Sequence, residues 1–118
     1  MGKLTACSVL SRGLRTLDFQ LKVLNKNFRI EYIDAEVNGT TDWAGLCCKD
    51  DGIILLKPDM NKDLHREVLI HEILHALCDG MGLDLSHKQE ERVCNALGKG
   101  LAAFVMDNDP KVVKKIFS

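Results

Sequence analysis

The segment LIHEILHALCD, residues 69–79, decides how the second half of this chain folds. Its apolar residues return every three or four positions, which is the period of an amphipathic α-helix. We predict a helix from about Asp63 to Cys78, stopped by Gly80 and Gly82. Its apolar flank should pack against another layer of structure. The residues that form this flank are Leu69, Ile70, Ile73, Leu74 and Leu77.

Three polar side chains interrupt this apolar segment. His71 and His75 lie one turn apart on the helix face opposite the apolar flank, and Glu72 lies about 100° round from His71. This HExxH arrangement supplies two nitrogen ligands for zinc and a carboxylate placed as a general base. The alternative is a surface histidine pair beside a solvated glutamate. An unliganded imidazole pair next to a core would be costly to desolvate, which favours a metal site.

The first half of the chain has the patterns of two β-hairpins. FQLKVL and FRIEYI flank a break at Asn25-Lys26-Asn27, and alternation places Phe28, Ile30 and Tyr32 on one face. WAGLCC and IILLK flank a second turn, with Asp51-Gly52 at its tip. The strand GIILL is interpreted equally well as a core strand or as an edge to which an extended peptide adds.

A second helix is predicted from the capping box Ser86-His-Lys-Gln89 to about Met106. Its large apolar residues should form a separate core face, and Gly98 should allow close approach of the first helix. We therefore predict an α+β fold, in which a small antiparallel sheet of about four strands precedes two helices. Residues 1–18 would be an N-terminal arm or short helix, 19–108 a single domain, and 109–118 a C-terminal tail. The predicted core face of the second helix comprises Val93, Leu97, Leu101 and Phe104.

A catalytic zinc site needs a third protein ligand and one position left for water. The metzincin extension is excluded, because Cys78 and Met81 occupy the positions of its glycine and histidine. Asp79 is too far along the same helix for direct ligation, although it could orient a histidine. Ligands on two elements fix the geometry better, which favours the capped helix. The downstream candidates are Asp79, Asp84, His87, Glu90 and Glu91.

HEILH followed by Glu91-Arg-Val-Cys-Asn95 resembles the gluzincin pattern, and more closely the small phage and bacterial metallopeptidases of the ImmA/IrrE type and the minimal gluzincins. The resemblance covers roughly residues 19–108. It implies that Glu91 is the third ligand and that Asn95 orients a metal-binding histidine. Helical phase supports Glu91, with Glu90 as its main competitor and His87 as a weaker one that would make a three-histidine site. The resemblance does not map the residue that steadies the oxyanion, for which the candidates are Tyr32, His65 and His87.

These parts predict a hydrolase of peptide bonds, a metalloprotease in which Glu72 activates a zinc-bound water. The cofactor would be Zn2+, the ligands His71, His75 and Glu91, and the partner a peptide or protein substrate. The alternative function is a non-catalytic, metal-stabilised interaction module of phage origin.

The composition excludes some other classes of protein. A net charge of −1 and a pI near 6.4 give no basic surface for nucleic acid. No apolar run approaches the roughly 18 residues of a membrane span. Five cysteines without a signal peptide or a paired framework predict reduced thiols and a cytoplasmic protein.

Overall fold

The computed structural model describes residues 15–16, 20–34 and 42–118. In this part of the chain the strands come first and the helices follow, so the α+β class is confirmed. The strands are β1 (Arg15–Thr16), β2 (Leu21–Val23), β3 (Lys26–Tyr32), β4 (Gly45–Cys48) and β5 (Ile53–Leu56). The helices are α1 (Lys62–Gly80), α2 (His87–Asp107) and α3 (Pro110–Ile116).

The five described strands form a mixed sheet. Their order is β1-β3-β5-β4, and β2 also pairs with β3. The two hairpins, β2–β3 and β4–β5, are antiparallel as predicted. They meet through β3 and β5, which run parallel, so the prediction of a wholly antiparallel sheet is wrong at its centre. All four residues of β5 are buried, as expected of a strand covered on both faces, and the edge beside the helices is β4.

Residues with positive φ form the tips of both hairpins. Leu24 and Asn25, with φ of 49° and 68°, make a two-residue turn that suits the twist of the strands. The turn therefore begins earlier than predicted, and Lys26 belongs to β3. In the second hairpin Gly52 has a φ of 65°, and a Cβ there would lie 2.8 Å from a backbone oxygen of β3. The predicted Asp51-Gly52 tip is confirmed by this close approach.

The main core lies between the sheet and α1. Phe28, Ile30 and Tyr32 are buried on one face of β3, as their alternation predicted. Val68 and Ala76 of α1 are buried against them. The predicted flank of α1 contributes Leu69, Ile73 and Leu77, which are partly buried against the same cluster. The other face of the sheet carries a second cluster, made of Ile33, Cys48, Ile53 and Leu55.

Side-chain caps define the starts of both long helices. The Asn61 side chain accepts a hydrogen bond from the backbone N–H of Leu64 at 2.9 Å, and α1 runs from there through Gly80. Gly80 is thus the last helical residue, two residues beyond the predicted end. Ser86 and Gln89 form the predicted capping box at the start of α2.

The prediction of a core face on α2 is wrong. The four residues predicted to form that face are 38–49% exposed, while the residues buried against α1 are Cys94, Gly98 and Ala102. A Cβ on Gly98 would lie 3.4 Å from the Cα and Cβ of His71, so the close approach predicted for this glycine is confirmed. Small residues bring the two backbones together, and α2 packs chiefly on that one neighbour. The exposed residues are Val93, Leu97, Leu101 and Phe104.

Both ends of the chain depart from the predicted arm and tail. Residues 110–116 of the predicted tail form α3, which begins with the Asp109 side chain accepting from the backbone N–H of Lys111 at 2.8 Å. Arg15 and Thr16, from the predicted N-terminal arm, form β1 and pair with β3. The remainder of that arm lies outside the described residues.

The cysteines only partly follow the prediction of reduced thiols. Cys47, Cys78 and Cys94 are free, and the latter two are buried. Cys48 is disulfide-bonded, so the prediction is wrong for that residue. None of the described helices combines the length and apolarity needed to cross a bilayer.

Candidate metal centre

Two helices bring His71, His75 and Glu91 together. The Nε2 atoms of the two histidines are 3.1 Å apart. Glu91 Oε1 lies 2.9 Å from His75 Nε2 and 3.3 Å from His71 Nε2. All three side chains are partly buried, and the group could hold a metal ion. The ligand group predicted from the sequence therefore converges on one point between α1 and α2.

Glu90 fixes the orientation of His75. Its Oε2 atom lies 2.6 Å from His75 Nδ1, on the opposite side of the ring from Glu91. An ionised carboxylate only accepts hydrogen bonds, so Nδ1 donates to it, and whenever the ring is neutral the lone pair of Nε2 is directed toward His71 and Glu91. Carboxylates commonly hold metal-binding histidines in this way. Glu90 is therefore placed as an orienting residue and not as the third ligand.

The converging atoms have the chemistry and spacing of a cation site. His75 Nε2 and Glu91 Oε1 lie 2.9 Å apart, and each can offer a lone pair to a cation when the imidazole is neutral. Nitrogen and oxygen ligands bound tetrahedrally at 2.0–2.2 Å lie about 3.3–3.6 Å from one another. The observed separations of 2.9–3.3 Å are close to that range. The residues thus fit a small divalent metal ion.

Proton equilibria at the site reflect the same contacts. Burial alone would lower the pKa of His75, but hydrogen bonds to Glu90 and Glu91 outweigh it and raise the pKa. Burial would raise the pKa of Glu91, yet its contacts with both histidines lower it. Glu91 therefore remains a carboxylate, which is the form that binds metal.

Glu72 lies beside the three ligands and is almost completely buried, with 6% of its surface exposed. Its Oε2 atom is 3.9 Å from His71 Nε2. Burial raises the pKa of Glu72 to about 7, with Glu91 adding to the rise and His75 opposing it. A carboxyl group with such a pKa can both accept and return a proton near neutral pH.

Strand β4 holds Glu72 from the other side. The backbone N–H of Cys47 donates a hydrogen bond to the Glu72 carboxylate. A Cβ on Gly45 would lie 2.7 Å from Val68 Cγ1 and 3.2 Å from Glu72 Oε2, so only glycine allows the strand to pass this close to α1. Neither residue was predicted from the sequence, because nothing in WAGLCC indicates which helix the strand will contact.

The metal ligands line a cavity of about 260 Å³ that opens along β4. Leu46, Cys47 and Lys49 line its strand side. His87 also lines it, at the start of α2, but lies outside the converging ligand group. Asp84 is exposed and lines neither this cavity nor a second one beside His71.

The two residues predicted to support the ligands do not contact them by hydrogen bonds. Asp79 pairs with Lys49 at 3.7 Å, at the surface. In the described part of the chain no hydrogen bond of the Asn95 side chain is found, and Asn95 lines a second cavity beside His71. The supporting role falls to Glu90, which the sequence analysis considered only as a competing ligand.

The candidates for oxyanion stabilisation are separated by the fold. Tyr32 and His65 contact each other, with the tyrosine hydroxyl 2.7 Å from His65 Nε2, and neither lines the metal cavity. Of the three candidates, His87 is the one that does.

No protein-family model matches the sequence, and neither a curated protein nor a solved structure matches it significantly. The resemblance to gluzincins therefore remains a prediction, and the geometry of the site is the basis for the function proposed below.

Proposed function

We propose that this protein is a zinc-dependent peptidase. The observation that carries the proposal is the position of Glu72, a nearly buried carboxylate beside the converging ligand atoms of His71, His75 and Glu91. A structural metal site has no use for an additional acid of this kind, whereas hydrolysis requires a general base within reach of an attacking water.

Zinc is the proposed ion because two imidazoles and one carboxylate are its usual partners in catalytic sites. These three residues would hold it and leave one position for water or substrate. When bound, zinc supplies a Lewis acid for the substrate carbonyl and makes water more acidic.

Glu72 is the proposed proton carrier. It takes the proton of the attacking water and then returns it to the departing amine. The Cys47 N–H and the close contact with Gly45 keep the carboxylate aimed at the metal centre. His87, in the wall of the same cavity, is the proposed donor to the oxyanion.

The substrate is proposed to add to β4 as an extended peptide. This strand is at the edge of the sheet, and three of its residues line the metal cavity. An extended peptide can pair with such an edge through its main chain. The sequence-based alternative of an edge at GIILL is wrong, since β5 is paired on both sides by β3 and β4.

The proposal is tested by zinc analysis and peptide hydrolysis on the wild type, Glu72→Gln and Glu91→Ala. Wild type should carry about one zinc per chain and hydrolyse members of a quenched peptide library. Glu72→Gln should keep the zinc and lose roughly 10²–10⁴-fold in rate. Full activity of Glu72→Gln would show that Glu72 is not the general base. A zinc-free wild type would refute the proposed metal centre.

One observation favours the alternative of a non-catalytic interaction module. The exposed apolar residues of α2, from Val93 to Phe104, offer a surface that a partner could cover. The two functions are separated by the library experiment, because zinc-loaded protein of the second class binds metal at the same site without hydrolysing any peptide.

A further inference from the structure

A second cavity adjoins the metal centre on the side of His71. Its volume is about 270 Å³, and it shares Gly45, His71 and Glu72 with the metal cavity. A side chain in this second cavity would therefore lie next to the bond that Glu72 acts on. Its remaining walls come from Ala44, which directly precedes β4, and from α1 and α2, so the elements that build the metal centre also build this cavity.

The walls of this cavity are apolar and its polar groups are hydrogen-bond acceptors. Ala44, Leu64 and Val68 supply apolar surface, and Glu67 and Asn95 supply a carboxylate and an amide. Glu67 is partly buried one helical turn before His71. Among the described residues, neither polar side chain has a hydrogen bond or ion pair. A partly buried carboxylate without a partner is a binding group for a cation.

The charges around both cavities also favour a cationic ligand. Four carboxylates line them, from Glu67, Glu72, Glu90 and Glu91, whereas Lys49 is the one lysine or arginine in their walls. A divalent ion at the metal centre would lie beside Glu72, Glu90 and Glu91, whereas Glu67 has no ion pair among the described residues, so Glu67 is the carboxylate left to pair with a ligand. A cationic side chain is thus attracted to this region and an acidic one is repelled.

We propose that the second cavity is a specificity pocket for a lysine or arginine side chain of the substrate. The inference rests on the proposed peptidase function and adds the class of residue beside the cleaved bond. The aliphatic stem packs on Leu64 and Val68, and the cationic head donates hydrogen bonds to Glu67 and to the side-chain oxygen of Asn95. This assigns to Asn95 the role of a substrate contact.

The test measures peptide binding to zinc-loaded Glu72→Gln, so that turnover does not interfere. The probes are three capped pentapeptides of alanine whose central residue is lysine, norleucine or glutamate. Norleucine keeps the aliphatic stem and lacks the charge. The lysine peptide should bind about tenfold or more tighter than the norleucine peptide, as expected for a charge-assisted hydrogen bond. The glutamate peptide should bind more weakly than either.

Three further variants, each added to Glu72→Gln, locate the preference. Glu67→Gln should abolish the advantage of lysine over norleucine. Asp63→Asn is the matched control, because it removes one carboxylate one turn earlier on the same helix, where Asp63 is exposed and faces Arg66 at 3.5 Å. It should keep the preference. Asn95→Leu should reduce the preference and serves as a second probe of the pocket.

Each outcome decides between the two proposals. Equal binding of the lysine and norleucine peptides, or a preference that survives both Glu67→Gln and Asn95→Leu, overturns the pocket and leaves the peptidase proposal standing. If fully zinc-loaded protein binds none of the three peptides, the pocket and the peptide-binding cleft are both overturned.

Discussion

Two faces of helix α2 have opposite compositions and opposite roles. The face toward α1 is made of acids and small residues, among them Glu91, Cys94 and Gly98. The outward face carries the large apolar residues, including Leu97 and Phe104, and remains exposed. Metal ligands on two helices meet only if the backbones approach closely, and small residues permit that approach. The difference teaches that the buried face of α2 is the one with the candidate metal ligand and small residues, and not the one with the larger apolar area.

The largest expected effect comes from removing the ligand on the inner face. Glu91→Ala should lose zinc, and with it the stabilisation that zinc gives the folded state. That stabilisation is about 4 kcal/mol when free zinc is a thousandfold above its dissociation constant. Thermal unfolding with zinc and with a chelator measures it. The two curves should differ widely for the wild type and coincide for Glu91→Ala. A zinc-dependent shift retained in the variant would move the ligand elsewhere.

The second-largest effect on stability is expected at Gly98, and Gly100 on the other face of α2 provides the comparison. Gly98→Gln places a side chain against the backbone of His71 and should destabilise the fold by about 1–3 kcal/mol and weaken zinc binding. Gly100→Gln is the matched control, because a Cβ there meets nothing within 4 Å. It should stabilise the helix by up to about 1 kcal/mol. Denaturant unfolding of both variants tests the contrast, and similar results for both would refute it.

A smaller effect is expected from the residue that orients His75. Glu90→Gln should weaken zinc binding by about 10–100-fold without abolishing it, because the amide holds the imidazole less firmly. Competition with a chromophoric chelator at pH 8 measures the change. Glu91→Ala should therefore lose far more zinc affinity than Glu90→Gln. Equal, complete loss in both would make Glu90 a ligand.

Zinc affinity of the wild type should also fall with acidity. An imidazole binds metal only when neutral, and the hydrogen bonds to Glu90 and Glu91 raise the pKa of His75. Protons therefore displace zinc as the pH falls through that raised pKa. The same chelator competition, repeated at decreasing pH, should show this loss. A constant affinity across the range would contradict the placement of His75 among the ligands.

The smallest effect is expected on the outward face. Leu97→Gln should change the free energy of unfolding by less than about 0.5 kcal/mol, because Leu97 is 49% exposed. Ala102→Gln provides the comparison from the buried face and should destabilise by more. Denaturant melts of the two variants rank the faces directly, and a large loss in Leu97→Gln would mean that this face is covered in the protein under study.

Local patterns made most of the fold predictable. The period of LIHEILHALCD gave α1 to within two residues at each end, and the Ser86–Gln89 box gave the start of α2. Both hairpins followed from turn residues and alternation. The parallel pairing of β3 with β5 did not, since strand pairing between hairpins depends on packing that no local pattern encodes.

The residues of the candidate site were also predictable in part. HExxH predicted the two histidines, and the resemblance to gluzincins, supported by helical phase, added Glu91; the three side chains lie together in space. The orienting role of Glu90 was missed because adjacent glutamates on a helix differ by about 100°, and only the crossing of the helices decides which one reaches each ring nitrogen. For the same reason Asp79 and Asn95 were assigned to contacts that the fold does not make.

The short connection between the two ligand-bearing helices has a consequence for assembly. Fifteen residues separate His75 from Glu91, so a bound ion closes a small loop, and closing a small loop costs little chain entropy. An ion at this site would therefore act as a cross-link within one helical hairpin and leave the connection between hairpin and sheet unconstrained. Metal capture and pairing of α1 with α2 would then be a single local event.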